Sequence, residues 1–302
     1  MPLVEVEGRE LKLSNLDKVL YPAAGFTKAE VLSYYARVAP TLLAHCADRF
    51  VTLKRYPDGV ESEPFYEKNC PRFRPDWMAT NDMPAGDGNS SAIRFCRLDS
   101  TAALTWVANL AALELHTSMA RADDAETPTM VVFDLDPGAP AALLECCEVG
   151  LVIRHVLADL GLTSVVKTSG SKGLQLYVPL NTPGVGHDDT ARFSRTIAQV
   201  LEQQEPARVI SVQRKDLRRG KVLVDWSQNS RHKTTVCAYS LRARERPTVS
   251  TPLSWDEVEA AVAASDASSL VFTAPEVLER IDRQGDLFAP AATLEQPLPA
   301  LG

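Results

Sequence analysis

Two aspartates, one residue apart at the end of an apolar run, most constrain what this chain can fold into. The run Thr129-Met-Val-Val-Phe-Asp-Leu-Asp-Pro-Gly138 predicts a buried strand that ends in a Pro-Gly turn. Side chains at i and i+2 of a strand share a face, so the Asp134 and Asp136 carboxylates lie about 6–7 Å apart at Cβ, while Phe133 and Leu135 face the other way. Two like charges this close repel each other unless a cation lies between them. The pattern therefore predicts either a site for divalent metal ions or a polar strand end before a turn.

A glycine-rich segment follows, Lys167-Thr-Ser-Gly-Ser-Lys-Gly-Leu174, and it lies between a β-branched run and an alternating apolar strand. Small residues let the backbone N–H groups of such a turn converge on an anion, while Lys172 adds a point charge and the Ser169 hydroxyl a donor. The residue order and the following helix of a P-loop are both missing. The segment predicts either a phosphate-binding turn or a tight hairpin with no ligand.

A third strand, Lys221-Val-Leu-Val-Asp-Trp-Ser-Gln-Asn229, carries Asp225 near its end. Burying a bare charge is costly, so Asp225 needs either a metal ion shared with the first two aspartates or an arginine partner. Arginines are abundant here, because residues 208–246 hold eleven Lys/Arg against three Asp/Glu in a chain of net charge −7. This basic segment is predicted to bind phosphate groups or to form surface ion pairs.

The pattern of elements predicts an α+β fold with a mainly antiparallel sheet. A capping box at Thr27–Glu30 begins a helix that is predicted to end near Ala39. Strands 208–213 and 222–226 are predicted to form a hairpin around residues 218–220. The other predicted elements are a strand at 50–56, a helix at 100–115 ending at His116, a helix at 140–161, strands at 164–168 and 174–180, and helices at 188–204, 254–264 and 275–285.

Cysteine usage and hydropathy predict a cytoplasmic protein. The six cysteines form no Cys-x-x-Cys pair, and all six are predicted to be reduced. No run of about 18 apolar residues occurs, and the N-terminal residues do not have the pattern of a signal peptide.

The three motifs together resemble the polymerase domain of bacterial DNA ligase D, a member of the archaeo-eukaryotic primase superfamily. The resemblance also covers Leu-Asp-Lys-Val-Leu-Tyr-Pro (16–22), Leu-Lys-Arg-Tyr-Pro-Asp-Gly (53–59), Phe-Tyr-Glu-Lys (65–68), Leu-Glu-Leu-His (113–116) and Tyr-Ser-Leu-Arg (239–242). It implies a primase-like catalytic core with an RRM-like sheet, a second sheet and flanking helices over residues 1–288. Residues 289–302 are expected to be an Ala/Pro-rich tail or linker of a stand-alone member or of a piece of a longer ligase.

By this resemblance, the chain is expected to be a template-dependent DNA/RNA polymerase that favours ribonucleotides and fills gaps and ends during non-homologous end joining. Two Mn²⁺ or Mg²⁺ ions are implied, one held by Asp134, Asp136 and Asp225 and the other by Asp134 and Asp136. NTPs or dNTPs are the expected substrates. The residues implied in nucleotide binding are Lys54, His116, Ser169, Lys172, Gln175, Arg218, Gln228 and Arg242.

The expected partners are double-stranded DNA ends and gaps with a 5′-phosphate, together with Ku and a DNA ligase, and no membrane. The resemblance implies that Lys18 and Lys28 recognise the 5′-phosphate and that Phe65 and Tyr66 stack on template bases, although a core role for one of these rings is equally open. The chain is expected to be monomeric, or dimeric when it bridges ends, and to associate with the nucleoid.

One residue departs from the family pattern, because Gln175 stands where members commonly carry histidine. Glutamine donates a hydrogen bond but carries no proton or positive charge, so triphosphate binding or nucleotide preference is expected to differ. A phosphatase with an aspartate nucleophile is disfavoured because the threonine that this class needs after the second aspartate is missing. A catalytically weak or inactive module that bridges 5′-phosphorylated DNA ends stays open.

Overall fold

A computed structural model describes residues 2–83 and 92–300, which form two compact units that alternate along the chain. Unit 1 comprises the described residues up to Ala125 together with Thr234–Val249 and Thr273–Gly285. Unit 2 comprises Glu126–Lys233, Ser250–Phe272 and the described residues from Asp286 onward. Each unit has its own principal sheet, so the predicted α+β class is confirmed.

The helices and strands have the following bounds. The helices are α1 (Lys28–Cys46), α2 (Thr101–Asn109), α3 (Leu143–Asp159), α4 (His187–Gln204), α5 (Trp255–Ala264), α6 (Ala274–Gln284) and α7 (Pro290–Thr293). The strands are β1 (Leu3–Val6), β2 (Arg9–Lys12), β3 (Val19–Tyr21), β4 (Phe26–Thr27), β5 (Arg49–Arg55), β6 (Phe65–Glu67), β7 (Thr80–Met83), β8 (Ile93–Cys96), β9 (Ala112–Arg121), β10 (Met130–Pro137), β11 (Val165–Thr168), β12 (Leu174–Pro179), β13 (Val209–Ile210), β14 (Val222–Asp225), β15 (Thr234–Val236) and β16 (Pro252–Leu253).

Unit 2 is built on a six-stranded sheet in the order β13-β14-β10-β12-β11-β16. All neighbouring pairs run antiparallel except β13 and β14, which run parallel. One face of the sheet carries Phe133, Leu135 and Leu176, which are fully buried together with Ile153 and Leu157 of α3. Burial of this apolar face is the main force that holds β10 in place and fixes its register.

Unit 1 is built on a four-stranded sheet in the order β15-β9-β5-β6. Its helix α1 begins at the predicted capping box, in which Glu30 accepts from the Thr27 backbone N–H (2.7 Å) and Thr27 Oγ1 accepts from the Glu30 N–H (3.4 Å). The helix continues through Pro40 to Cys46, so its predicted end near Ala39 is wrong. Its buried tyrosines are satisfied, because the Tyr35 hydroxyl donates to the Leu113 carbonyl at 2.7 Å.

Two predictions of local structure were wrong. The predicted helix at 100–115 ends at Asn109, and after Ala111, which has a φ of 59°, the chain continues as strand β9. A short apolar run does not by itself distinguish a buried helix from a buried strand. The predicted hairpin at 208–226 is also wrong, because β13 and β14 run parallel and a loop therefore joins their opposite ends.

Cysteine chemistry differs from the prediction at two positions. Cys70 and Cys96 form a disulfide, so the prediction that all six cysteines are reduced is wrong for this pair. The backbone explains how they meet, since the Cys70 N–H donates to the Arg94 carbonyl at 2.6 Å and places Cys70 beside the end of β8. Cys46, Cys146, Cys147 and Cys237 are free and buried.

Residues expected to form a tail are folded onto unit 2 as far as the structure describes them. The Gln296 side chain is buried, accepts from the Thr163 N–H (2.7 Å) and donates to the carbonyls of Thr163 (2.9 Å) and Pro179 (2.8 Å). Directly before this segment, the buried ring of Phe288 lies edge-on to Tyr177. In these contacts the segment replaces hydrogen bonds to water with internal hydrogen bonds, and it buries apolar surface. Among the described helices, none is long and apolar enough to span a membrane.

Candidate active site

Three aspartates meet on one face of the unit 2 sheet, and we call Asp134, Asp136 and Asp225 the acidic cluster. Strand β10 lies between β12 and β14, and the register places Asp225 directly opposite Asp134. Directly opposed residues of an antiparallel pair share a face, and Asp136 lies two residues further along it. Asp134 is half-buried, Asp136 is exposed and Asp225 is buried.

The charge on this cluster is poorly compensated by the protein itself. Burial, and next the negative charge of Asp136, raise the pKa of Asp134 to about 7. A hydrogen bond from Gln175 and the charge of Lys167 act in the opposite direction but do not offset these effects. The cluster therefore has an excess of negative charge and offers only oxygen donors, a combination that suits a hard divalent cation such as Mg²⁺ or Mn²⁺.

The third aspartate is held by its own side-chain partners. Asp225 Oδ1 accepts from Gln213 Nε2 (2.7 Å), the Ser227 N–H (2.9 Å) and the Ser227 hydroxyl (2.7 Å), while Oδ2 accepts from Gln228 Nε2 (3.0 Å). Among residues 2–83 and 92–300, no three His, Cys, Asp or Glu side chains are arranged as a ready-made metal site. Oδ2 accepts one hydrogen bond and so keeps a lone pair with which Asp225 could also bind a cation.

Gln175 links the acidic cluster to a buried cation. On β12, directly opposite Asp134, its Nε2 donates to Asp134 Oδ1 at 3.0 Å. Its Oε1 accepts from Lys167 Nζ (2.5 Å) and from the Tyr177 hydroxyl (3.2 Å). Lys167 is only 1 % exposed and also donates to Ser250 Oγ at 2.7 Å. Two donors on Oε1 fix the amide so that its N–H group faces Asp134.

The glycine-rich segment forms the turn between β11 and β12, next to the acidic cluster. Gly173 has no room for a side chain, because a Cβ there would lie 2.0 Å from the Leu135 carbonyl oxygen. Inside the turn, Ser169 Oγ accepts from the N–H groups of Ser171 (3.2 Å) and Gly173 (3.1 Å). These two donors are therefore occupied internally, whereas the Lys172 side chain is exposed.

Arg218 is brought close to the end of β10 by a second glycine. A Cβ on Gly138 would lie 2.0 Å from the Arg218 carbonyl oxygen, and the Gly138 N–H donates to the Lys221 carbonyl at 2.8 Å. The Arg218 guanidinium donates to the Gln213 carbonyl at 2.7 Å, while its buried Nε has no hydrogen-bond partner in the described part of the chain. An orphaned donor of a half-buried arginine is suited to a phosphate oxygen.

Unit 1 contains a separate group of predicted nucleotide-binding residues, organised by a carboxylate that the sequence analysis did not single out. Glu114 on β9 is 2 % exposed and lies near three predicted residues. Its Oε2 is 2.9 Å from His116 Nε2 and 3.9 Å from Lys54 Nζ, and its Oε1 is 3.4 Å from Arg242 Nε. Residues at i and i+2 of a strand share a face, so the spacing of Glu114 and His116 indicates this contact only if the segment is a strand. The predicted helix at 100–115 therefore did not indicate it.

The pKa values of this group follow from one buried anion surrounded by cations. Burial by itself raises the pKa of Glu114, but the hydrogen bond with His116 and the charges of Arg242 and Lys54 outweigh it and lower this pKa well below its ordinary value. Burial also lowers the pKa of His116, and the contact with Glu114 offsets only part of this effect. His116 is thus favoured as the neutral imidazole.

The predicted DNA-contacting residues also lie in unit 1. Phe65 and Tyr66 on β6 are exposed, which makes a core role for either ring wrong. The Arg55 guanidinium lies over the Phe65 ring at 4.9 Å, and Lys54 Nζ lies 5.3 Å from the centre of the Tyr66 ring.

Lys18 and Lys28 lie close together where α1 begins. Lys28 N–H donates to the Lys18 carbonyl at 2.8 Å. Lys18 pairs with Asp58 at 2.8 Å, whereas buried Lys28 donates to the Ser14 carbonyl at 2.6 Å. Burial, followed by the charge of Lys18, lowers the pKa of Lys28 to about 8.

Comparison with known proteins decides the family. The family model described as LigD, primase-polymerase domain, matches residues 27–288 of this chain. The chain belongs to this family. Members are nucleotidyltransferases of the primase-polymerase type, so the family expected from the sequence motifs is confirmed.

Curated relatives and a solved structure support the same family. The chain is 42% identical over 282 residues to the multifunctional non-homologous end joining protein LigD of Mycolicibacterium smegmatis, covering 93% of this chain and 36% of that protein. It is 33% identical over 276 residues to the bifunctional LigD of Bacillus subtilis, covering 91% of this chain and 43% of that protein. The polymerase domain of Mycobacterium tuberculosis ligase D in complex with DNA matches with a TM-score of 0.85 at 40% identity, covering 95% of this chain and 99% of that one. This LigD primase-polymerase chain thus spans well under half the length of the curated relatives.

Proposed function

We propose that this chain is a template-dependent polymerase that adds nucleotides at gaps and ends during repair of double-strand breaks. The observation that carries the proposal is the strand register of unit 2, which puts Asp225 opposite Asp134 with Asp136 on the same face. In a chain of the primase-polymerase family, three carboxylates on one sheet face are the expected centre of nucleotidyl transfer. Relatives that are named for non-homologous end joining support the repair context.

Asp134 and Asp136 would hold divalent cations, with Asp225 as an additional ligand to one of them. When bound, Mg²⁺ or Mn²⁺ ions would neutralise triphosphate charge and lower the pKa of a primer 3′-hydroxyl. The protein itself contributes the fixed position of the carboxylates. Gln175 keeps Asp134 oriented through its N–H group, and Gln228 and Gln213 hold Asp225. Preorganised groups of this kind need little rearrangement during reaction.

Phosphate groups of an incoming NTP or dNTP would be bound by Lys172, Arg218 and Ser169 in unit 2. Lys172 is exposed, and Arg218 has the orphaned Nε. In unit 1, Lys54, His116 and Arg242 form a second group of donors, with an excess of positive charge around one carboxylate. We propose that this group contacts the nucleotide and its sugar, including the 2′-hydroxyl that distinguishes ribonucleotides.

DNA would be bound through the exposed rings of Phe65 and Tyr66 and through Lys18 and Lys28. The solved relative with a TM-score of 0.85 is described as a complex with DNA, which supports this proposal. Burial, followed by repulsion from Lys18, lowers the pKa of Lys28, and a 5′-phosphate beside the two lysines would relieve that repulsion. Ku and a DNA ligase would act at the same ends, and the site of action would be the nucleoid.

Extension of a primer on a gapped duplex tests the proposal. The duplex is offered with and without a 5′-phosphate, in the presence of Mn²⁺ and of labelled ribo- or deoxynucleotides. We expect incorporation that follows the template, favours ribonucleotides and is lost in Asp134→Asn and Asp136→Asn. Binding of the gapped duplex without such incorporation would instead favour a module that bridges DNA ends.

The 5′-phosphate proposal has its own variant. Lys18→Ala combined with Lys28→Ala is expected to remove the preference for phosphorylated gaps and to leave basal extension unchanged, with Lys12→Ala as an exposed control in the same unit. Because Lys28 is buried and bonded to Ser14, thermal melting of the variant is measured alongside. Equal loss on phosphorylated and unphosphorylated gaps would contradict phosphate recognition by this pair.

A further inference from the structure

A short stretch of unit 1 holds every exposed aromatic ring in the described ranges 2–83 and 92–300. These rings are Phe65 (43 % exposed), Tyr66 (62 %) and Phe73 (70 %). Globular proteins normally bury much of the apolar surface of large rings, so three such rings within nine residues mark a surface that meets a partner. Phe65 and Tyr66 belong to the proposed template contact, but Phe73 has no role in it.

Phe73 lies on a turn that backbone hydrogen bonds and a disulfide hold in place. The Arg74 N–H donates to the Pro71 carbonyl (3.1 Å), the Met78 N–H donates to the Pro75 carbonyl (2.9 Å), and the Cys70–Cys96 disulfide ties the start of the turn to the end of β8. The Phe73 ring packs at an angle on Trp106, with 6.2 Å between ring centres, and its remaining surface faces solvent. A ring held in this way loses little conformational entropy when a ligand stacks on it.

Three basic residues lie close to Phe73 in the sequence. Arg72 and Arg74 flank Phe73 in sequence, and Lys68 lies between Tyr66 and the turn. No carboxylate in the described part of the chain pairs with these three cations, whereas Glu67 is already paired with Arg55 at 2.9 Å. Exposed rings beside unpaired cations match the chemistry of single-stranded nucleic acid, in which bases stack and phosphates attract cations.

We propose that the turn Pro71–Arg74 is a second nucleic-acid contact, where Phe73 stacks on an unpaired base and Arg72 and Arg74 bind the flanking phosphates. Its ligand is the single-stranded overhang of a DNA end, read without regard to sequence because every base has a face on which a ring can stack. This inference rests on the proposed function for the type of substrate but uses none of the residues of the acidic cluster.

Fluorescence anisotropy with two probes tests the inference: a duplex with a short 3′ oligothymidine overhang and the matching blunt duplex. Phe73→Ala is expected to weaken binding of the overhang probe about fivefold or more and to leave blunt-duplex binding unchanged. Phe73→Trp should keep wild-type affinity, because it retains a stacking ring. Arg72→Gln with Arg74→Gln should reduce the slope of log affinity against log salt by about 1–2.

Leu3→Ala is the matched control, since Leu3 is an exposed apolar residue of unit 1 outside this turn (65 % exposed). Thermal melting checks that each variant is folded, and truncating a ring that is mostly exposed should change it little. Unchanged overhang binding by Phe73→Ala, or equal loss on both probes, overturns the inference. Sedimentation gives a further check. If the wild type is a dimer and Phe73→Ala is a monomer, the turn is a self-association surface instead.

The same variants separate this inference from the proposed polymerase activity. If Phe73→Ala binds the overhang normally and incorporates nucleotides as the wild type does, the inference is wrong and the polymerase proposal stands. Weakened overhang binding by Phe73→Ala, in a protein that incorporates no nucleotide, would support the inference and remove the polymerase proposal.

Discussion

Replacing Glu114 by glutamine tests whether one buried carboxylate holds the cationic group of unit 1 together. The change keeps the size of the side chain, and its Oε1 can still accept from the Ala243 N–H, now at 3.1 Å, and from the Tyr56 hydroxyl, now at 3.4 Å. It removes the negative charge that faces Lys54 and Arg242. Both cations then lose the charge of Glu114 in a poorly hydrated site.

The expected cost follows from burial. The exposed fractions of the side chains are 3 % for Glu114, 18 % for Lys54 and 14 % for Arg242, so solvent screens this network far less than a surface pair. Removing one partner of a buried ionic network costs about 3–5 kcal/mol, and the hydrogen bonds that glutamine retains reduce this. We therefore expect Glu114→Gln to lower the free energy of unfolding of unit 1 by about 2–4 kcal/mol at pH 7.

The pH dependence distinguishes loss of charge from loss of shape. The folded protein holds the pKa of Glu114 below its ordinary value of 4.5, so the stabilisation is fully present above that value and is lost as the pH falls below it. Between pH 4.5 and pH 3 the loss is about 1.4 kcal/mol per pH unit, so the difference between wild type and variant should shrink by about 2 kcal/mol at pH 3.

Urea unfolding at pH 7 and pH 3 measures both quantities. Circular dichroism and tryptophan fluorescence are followed together, because two units need not unfold in one transition. Glu67→Gln is the matched control: its single pair with half-buried Arg55 should cost at most about 1 kcal/mol. A Glu114→Gln variant as stable as wild type at pH 7 would refute the reasoning, and a difference that stays constant down to pH 3 would show that shape, not charge, is responsible.

Three further changes test other contacts. Lys167→Met removes a buried donor to Gln175 and Ser250 and should cost about 1–3 kcal/mol by urea unfolding; an unchanged midpoint would show that Lys167 holds neither partner. Gln175→His should extend primers at least as fast as wild type in the gapped-duplex assay, and a large loss would show that the amide has a role of its own. Gly173→Ala would place a Cβ 2.0 Å from the Leu135 carbonyl oxygen, so it should lower the melting temperature and reduce the free energy of unfolding by about 1–3 kcal/mol. Gly186→Ala is the control and should reduce it less, because the nearest neighbour of its Cβ is 3.6 Å away.

Local patterns predicted the longer helices and most strands of the unit 2 sheet, and the errors have a shared cause. The capping box at Thr27 and the strand that carries Asp134 depend on residues within a few positions of each other, and both are found as predicted. The strand β9 and the parallel pair of β13 with β14 depend on distant partners instead. The last residues of the apolar run 100–115 suit a helix or a strand equally, and the neighbours β5 and β15 decide for a strand from Ala112 onward.

The same distinction applies to the candidate site. Strand periodicity places Asp134 and Asp136 on one face without any knowledge of the sheet. The position of Asp225 opposite Asp134 needed the resemblance to a known family, because strand order is not encoded in either strand alone. The sequence did not indicate Glu114, because its partners His116, Lys54 and Arg242 lie 2, 60 and 128 residues away. A buried carboxylate is recognised only when the structure shows the cations around it.

The two units handle buried charge in opposite ways, and the pKa shifts show it. In unit 1 the positive groups around Glu114 are strong enough to lower its pKa despite burial, so the surplus charge is positive. In unit 2 burial and Asp136 raise the pKa of Asp134 even though Lys167 and Gln175 act against them, so the surplus charge is negative. A surplus of either sign is costly in a folded protein unless a ligand of the other sign completes it. Unit 1 is therefore suited to an anion such as a nucleotide phosphate, and unit 2 to divalent cations.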